Sequence, residues 1–91
     1  MTTPTPLDAR LLEATIGALE LFGAYLGDRL GLYAALRDGK PATAGELAAR
    51  AAIHPRYARE WLEQQAVAGV LAVEDAVADA EQRRYRLPAE H

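Results

Sequence analysis

Residues 43–69, Thr-Ala-Gly-Glu-Leu-Ala-Ala-Arg-Ala-Ala-Ile-His-Pro-Arg-Tyr-Ala-Arg-Glu-Trp-Leu-Glu-Gln-Gln-Ala-Val-Ala-Gly, decide the fold. Thr43-Ala44-Gly45-Glu46 has the form of a capping box: the threonine oxygen can accept the third helical amide while the glutamate reaches back to the cap amide. A helix starts here, with Leu47, Ala48 and Ala51 as a small-residue face suited to a tight crossing. Ile53-His54 then reads as a turn, His54 serving as a helix cap or surface turn residue. Pro55 suits the first position of the following helix because its missing N–H has no partner there in any case. Ala58, Leu62 and Gln65 or Ala66 share one face of that helix as far as about Ala68, and Gly69 closes it. Val70-Leu71-Ala72-Val73-Glu74 follows as a strand, and Arg84-Tyr85-Arg86-Leu87 alternates polar and apolar as its return partner, with Pro88 ending the ladder. Helix, turn, helix and hairpin in this order predict a mainly α, winged helix-turn-helix fold with a C-terminal two-stranded wing.

Upstream, Asp8 to Asp28 predicts a long N-terminal helix. Arg10, Glu13, Gly17, Glu20, Ala24 and Gly27 recur every three or four residues and make one narrow wettable stripe. Leu12, Ile16, Leu19, Phe22, Leu26 and Leu30 form one apolar edge, and Leu11, Ala18 and Tyr25 another. That is more apolar surface than a small three-helix core can cover, so the helix is expected to serve both the core and a dimer interface made by Leu12, Ile16, Leu19, Phe22 and Leu26. Gly23 and Gly27 each lower helix propensity by about 1 kcal/mol relative to alanine, and the expected return is a close approach by a neighbouring backbone or, as the alternative, a hinge into the next helix. A second short helix is predicted over Leu30–Arg37, stopped by Asp38-Gly39 and Pro41. Met1–Leu7, rich in threonine and proline, reads as a flexible arm, leaving residues 8–91 as one domain.

The 91-residue composition, 51% hydrophobic and 25% charged, is that of one packed globular unit. The absence of cysteine removes disulfides and Cys-based zinc sites, no stretch has the form of a signal peptide, and no apolar run is long enough to cross a membrane, so the cytoplasm is the expected location. Catalytic and metal-binding residues are not expected. Serine is absent, Thr43 is engaged in its cap, and His54 and His91 have no partners at ligand spacing. Gly23, Gly27 and Gly31 fall in helical patterns rather than in a phosphate-cradling loop. Glu60 and Glu63, among arginines, read as a solvated face. The helix from Pro55 occupies the recognition position of a DNA-binding module and offers Arg56, Arg59 and Gln64, with Arg83, Arg84 and Arg86 on the wing. From His54 onward, however, five arginines face seven acids, and the net charge is −3, which weighs against DNA. Tyr57 and Trp61 are expected either to pack on the N-terminal helix or wing or to face a neighbouring domain.

Several of these segments resemble the N-terminal winged-helix domain of bacterial class I S-adenosylmethionine-dependent methyltransferases that act on small molecules. Gly27-Asp28-Arg29-Leu30-Gly31-Leu32-Tyr33-Ala34-Ala35-Leu36 is similar to that family's second-helix segment, and Thr43–Ala52 to its "T-x-x-E-L-A" segment. His54-Pro55-Arg56-Tyr57-Ala58-Arg59-Glu60-Trp61-Leu62 and Tyr85-Arg86-Leu87-Pro88-Ala89-Glu90-His91 are the strongest matches, and the resemblance spans residues 8–91. It implies a homodimer through the long first helix, which interleaves with the partner and covers the substrate pocket, with Phe22 and Tyr25 as capping residues. It also implies a C-terminal methyltransferase domain that binds S-adenosylmethionine. The glycine-rich loop and acidic residue of such a domain are not among these 91 residues, so the segment is expected to have no catalysis of its own. The alternatives are a winged-helix transcriptional regulator and a stand-alone dimerisation or adaptor domain.

Overall fold

In the computed structural model, which describes residues 6–37, 40–74 and 78–91, the capping box forms in full. Thr43 Oγ1 accepts the Glu46 amide at 3.2 Å and Glu46 Oε1 accepts the Thr43 amide at 2.9 Å. Counting in chain order, helices α1 (Pro6–Arg29), α2 (Leu32–Ala35), α3 (Ala44–Ala51) and α4 (Pro55–Val67) precede strands β1 (Ala72–Val73) and β2 (Tyr85–Arg86). The expected winged helix-turn-helix is what forms. Helix α3 ends where Ala52 takes a left-handed conformation, φ 57°, and His54 Nδ1 then accepts the Arg56 amide at 3.1 Å to cap α4, with Pro55 in its first turn. At the far end of α4, Gly69 is left-handed, φ 80°. The Val70 amide donates to the Gln65 carbonyl at 3.0 Å and the Gly69 amide to the Ala66 carbonyl at 3.1 Å, a Schellman closure.

That closure shortens the wing. The amides of Val70 and Leu71 both point back to the Gln65 carbonyl, so the ladder begins at Ala72 rather than at Val70 as expected, and β2 is confined to Tyr85–Arg86. The strands are antiparallel, Ala72 opposite Arg86 and Val73 opposite Tyr85. A third backbone segment joins them, since Ala42 and Tyr85 exchange two hydrogen bonds of 2.9 Å. Tyr85 is thereby held between Ala42 and the wing, and its side chain is 1% exposed in the core.

The core consists of Leu32 and Leu36, Ala42, Ala44, Leu47 and Ala48, Ala58, Trp61 and Leu62, Leu71 and Tyr85. Every one of these residues lies in or after α2. Two expectations are corrected by this arrangement. Helix α1 contributes only Gly23 and Gly27 to the buried set, so its apolar edges serve the core far less than expected, and Gly27 is packed inside rather than on the wettable stripe. Helix α2 is also shorter than Leu30–Arg37, because Gly31 is left-handed, φ 71°, and reverses the chain before Leu32. Helix α1 starts at Pro6, two residues before the expected Asp8. The arm residues 1–5, the Asp38-Gly39 stop and Asp75, one of the seven acids after His54, lie outside the described residues.

Candidate functional site

Helix α1 has 24 residues and so spans about 36 Å. Only its C-terminal half is seated. Trp61 Nε1 donates to the Gly23 carbonyl at 2.9 Å, and the Tyr33 and Trp61 rings, edge to face at 5.0 Å, occupy the space a side chain at Gly27 would need. The Tyr33 hydroxyl donates to Gln65 Oε1 and Gln65 Nε2 donates to Gln64 Oε1 at 2.6 Å. Burial among these groups pushes the Tyr33 hydroxyl above its ordinary pKa. The two glycines do admit a close approach, but by side chains rather than by the neighbouring backbone expected. What approaches is an aromatic and amide patch of α2 and α4.

Docking through glycines leaves the side chains on either side pointing outward. Leu12, Ile16, Leu19 and Phe22 are exposed, Leu19 at 62% and Phe22 at 59%, while Leu26 is half-buried. Of the second edge, Leu11, Ala18 and Tyr25 are exposed as well, joined by Leu7 and Leu21, and the Arg29 guanidinium lies over the Tyr25 ring at 6.0 Å. Leu19, Phe22 and Leu26 line one side of an open apolar groove of about 530 Å³, and Ile53, Tyr57 and Trp61 line the other. Phe22 thus belongs to the groove and Tyr25 lies outside it. Sequence reasoning paired Tyr57 with Trp61 but could not separate them: Trp61 packs on α1, and Tyr57, 67% exposed, stands in the groove wall with its ring tilted against that of His54 at 5.6 Å. The contribution of Ile53 was missed, since it was read only as part of a turn.

The outer face of α4 and the wing carries a different chemistry. Arg56 pairs with Glu60 at 3.4 Å, Arg59 with Glu63 at 2.9 Å, Arg84 with Glu46 at 3.1 Å and Arg86 with Glu74 at 3.9 Å. All four pairs are exposed to solvent. The Glu63 hydrogen bond raises the Arg59 pKa, and the Thr43 backbone amide, more than the nearby Arg84 and Arg50, lowers that of Glu46. His54 Nδ1 is used by its cap and His91 Nδ1 lies 2.7 Å from the Val70 carbonyl oxygen. Among the described residues no three His, Cys, Asp or Glu side chains gather as a metal site, and no helix is long and apolar enough to cross a membrane.

The architecture and this sequence meet in one family: the model of the Rv2258c-like winged HTH domain matches residues 17–91. The chain belongs to that family. The match takes in the seated half of α1, the helix-turn-helix and the wing, so the glycine dock and the groove both lie inside this Rv2258c-like winged HTH domain. No curated protein matches the chain.

Proposed function

We propose that this winged HTH domain is the dimerising and pocket-capping module of a cytoplasmic S-adenosylmethionine-dependent small-molecule methyltransferase, with α1 as the seam between two copies. The observation that carries the reading is the exposed apolar face of α1, Leu12, Ile16, Leu19 and Phe22, on a helix whose buried residues are Gly23 and Gly27. A contiguous apolar face of this length on a small domain marks a protein contact. The motifs in Gly27–Leu36, Thr43–Ala52, His54–Leu62 and Tyr85–His91 supply the link to methyltransferases. Phe22, in the groove, and Tyr25, on the second edge, are the residues assigned to cover substrate, and the second edge is left for the C-terminal catalytic domain.

The methyl donor does not fit these residues. Gly23 and Gly27 are inside a helix, Gly31 joins two helices and Gly69 leads from a helix to a strand, so none opens the strand-to-helix turn that binds a dinucleotide-like cofactor. Binding of S-adenosylmethionine is assigned to the downstream domain.

DNA binding is the competing reading, favoured by the position of α4. On that face Arg56 and Arg59 each carry a glutamate one turn away, and Arg84 and Arg86 are similarly paired. A phosphate backbone approaching them would meet four carboxylates at the same points. Sedimentation of the 91-residue chain tests the seam: the parent should be a dimer, and Phe22→Asp and Leu26→Asp should be monomers of nearly unchanged helicity. Unchanged sedimentation of both variants, or salt-dependent duplex binding by the parent, would overturn the reading. Calorimetric titration of the native protein with S-adenosylmethionine tests its enzymatic part.

A further inference from the structure

The exposed seam of α1 is symmetric about one residue. Ile16 and Phe22 stand three positions to either side of Leu19, and Leu12 and Leu26 stand seven to either side. At about 100° per residue the five side chains share about a third of the helix circumference. A two-fold axis through Leu19 therefore sets Leu12 against the partner's Leu26 and Ile16 against the partner's Phe22. Each of these five meets an apolar counterpart, as an isologous contact requires, while Leu30 at the end of the same edge stands opposite the partner's Asp8.

We infer that two copies pair through α1 in antiparallel orientation with Leu19 on the axis, so that Leu12 and Ile16 of each enter the groove of the other beside Tyr57. This rests on the proposed role of α1 as a dimer seam and specifies its geometry. Three observations favour a second copy over a small ligand or an unrelated protein. The groove and the seam are continuous, because Leu19, Phe22 and Leu26 belong to both. A ligand filling the groove would cover those three and leave Leu12 and Ile16 in water, whereas the projecting half of a second α1 covers all five. Charge agrees with the direction: the first turn of α1 carries Asp8 and the last turn Arg29, and antiparallel pairing brings unlike ends and opposed helix dipoles together. Parallel pairing would set like ends side by side.

Because the chain has no cysteine, introduced thiols report this geometry without background. Under mild oxidation the 91-residue Leu19→Cys variant should cross-link to itself, and a Leu12→Cys/Leu26→Cys double variant should cross-link between copies. Each of the latter two alone should not, since a disulfide requires Cα atoms within about 7 Å. Self-linking of Leu12→Cys or Leu26→Cys alone, or absence of both expected products while the reduced variants sediment as dimers, overturns the register and leaves the seam standing. A parent that stays monomeric at every concentration overturns the seam and the register together. Tyr57→Ala should weaken dimerisation by about tenfold or more, as loss of a central aromatic anchor does. An unchanged dimer constant would remove Tyr57, and with it the groove, from the interface.

Discussion

Two alanine substitutions in α1, at Gly17 and at Gly27, should move stability in opposite directions, and the difference measures how the helix is held. At Gly17 an added Cβ meets nothing within 4 Å, so Gly17→Ala should gain the ordinary propensity difference of about 1 kcal/mol. At Gly27 the same gain is available, but the methyl would lie 2.7 Å from Trp61 Cζ2 and closer still to the Tyr33 ring. Carbon contacts settle near 3.5–4.0 Å, so a shift of about 1 Å is required. Neither ring is free to yield, because Trp61 is tied to the Gly23 carbonyl and Tyr33 to Gln65. Overpacking of this kind costs about 1–3 kcal/mol. If α1 lifts instead, the buried Trp61 N–H loses its acceptor, at about 1–3 kcal/mol. Either route costs about 2 kcal/mol against a propensity gain of about 1 kcal/mol, so Gly27→Ala should lose about 1 kcal/mol net, leaving the two variants about 2 kcal/mol apart. Urea unfolding at one fixed protomer concentration, followed by circular dichroism and by the fluorescence of Trp61, the single tryptophan, reads the effect at its source. A Gly27→Ala protein as stable as Gly17→Ala would refute the close-packed dock.

The wing and the capping box make their own predictions. The Tyr85 hydroxyl is buried without a hydrogen-bond partner, so Tyr85→Phe should be neutral or stabilising by up to about 2 kcal/mol, and a loss of more than about 1 kcal/mol in thermal or urea unfolding would show that the hydroxyl is bonded. Hydrogen bonding from the Thr43 amide depresses the pKa of Glu46, so its ionised form stabilises the fold above the unfolded-state value, and that contribution is lost as pH falls through the lower, folded one. Glu46→Gln keeps a capping partner without the charge, and should flatten the decline of stability below about pH 4.3. Equal acid sensitivity of the variant and the parent would remove Glu46 from that decline.

Much of the architecture was legible because its signals are local. A capping box needs residues three apart, Pro55 declares a first turn by what it lacks, and Gly69 announces a left-handed closure. Helix α3, helix α4 and the turn between them follow from such rules with their boundaries nearly intact. The wing was legible as a hairpin but not in extent, since the Gln65 carbonyl captures two amides that the strand pattern assigned to the ladder. The contact between Ala42 and Tyr85 joins segments 43 residues apart, and no periodicity in either segment signals it.

For the candidate site the division is sharper. The apolar surplus of α1 and the positions of Leu12, Ile16, Leu19, Phe22 and Leu26 are properties of one helix, so the sequence by itself determined them. It also determined that Arg56 and Arg59 stand one turn from Glu60 and Glu63, which makes the outer face of α4 electrically balanced. Which face of α1 meets the body was decided only in three dimensions. A glycine reads as polar or small along the chain, yet its bare backbone is what lets Trp61 and Tyr33 come close, and that turned Gly27 inward. Once the glycine face was taken, the large side chains were left facing outward, and Phe22 was separated from Tyr25 and joined to Tyr57. Side-chain spacing states what a helix could bury, but the shape of its neighbours determines which face they cover.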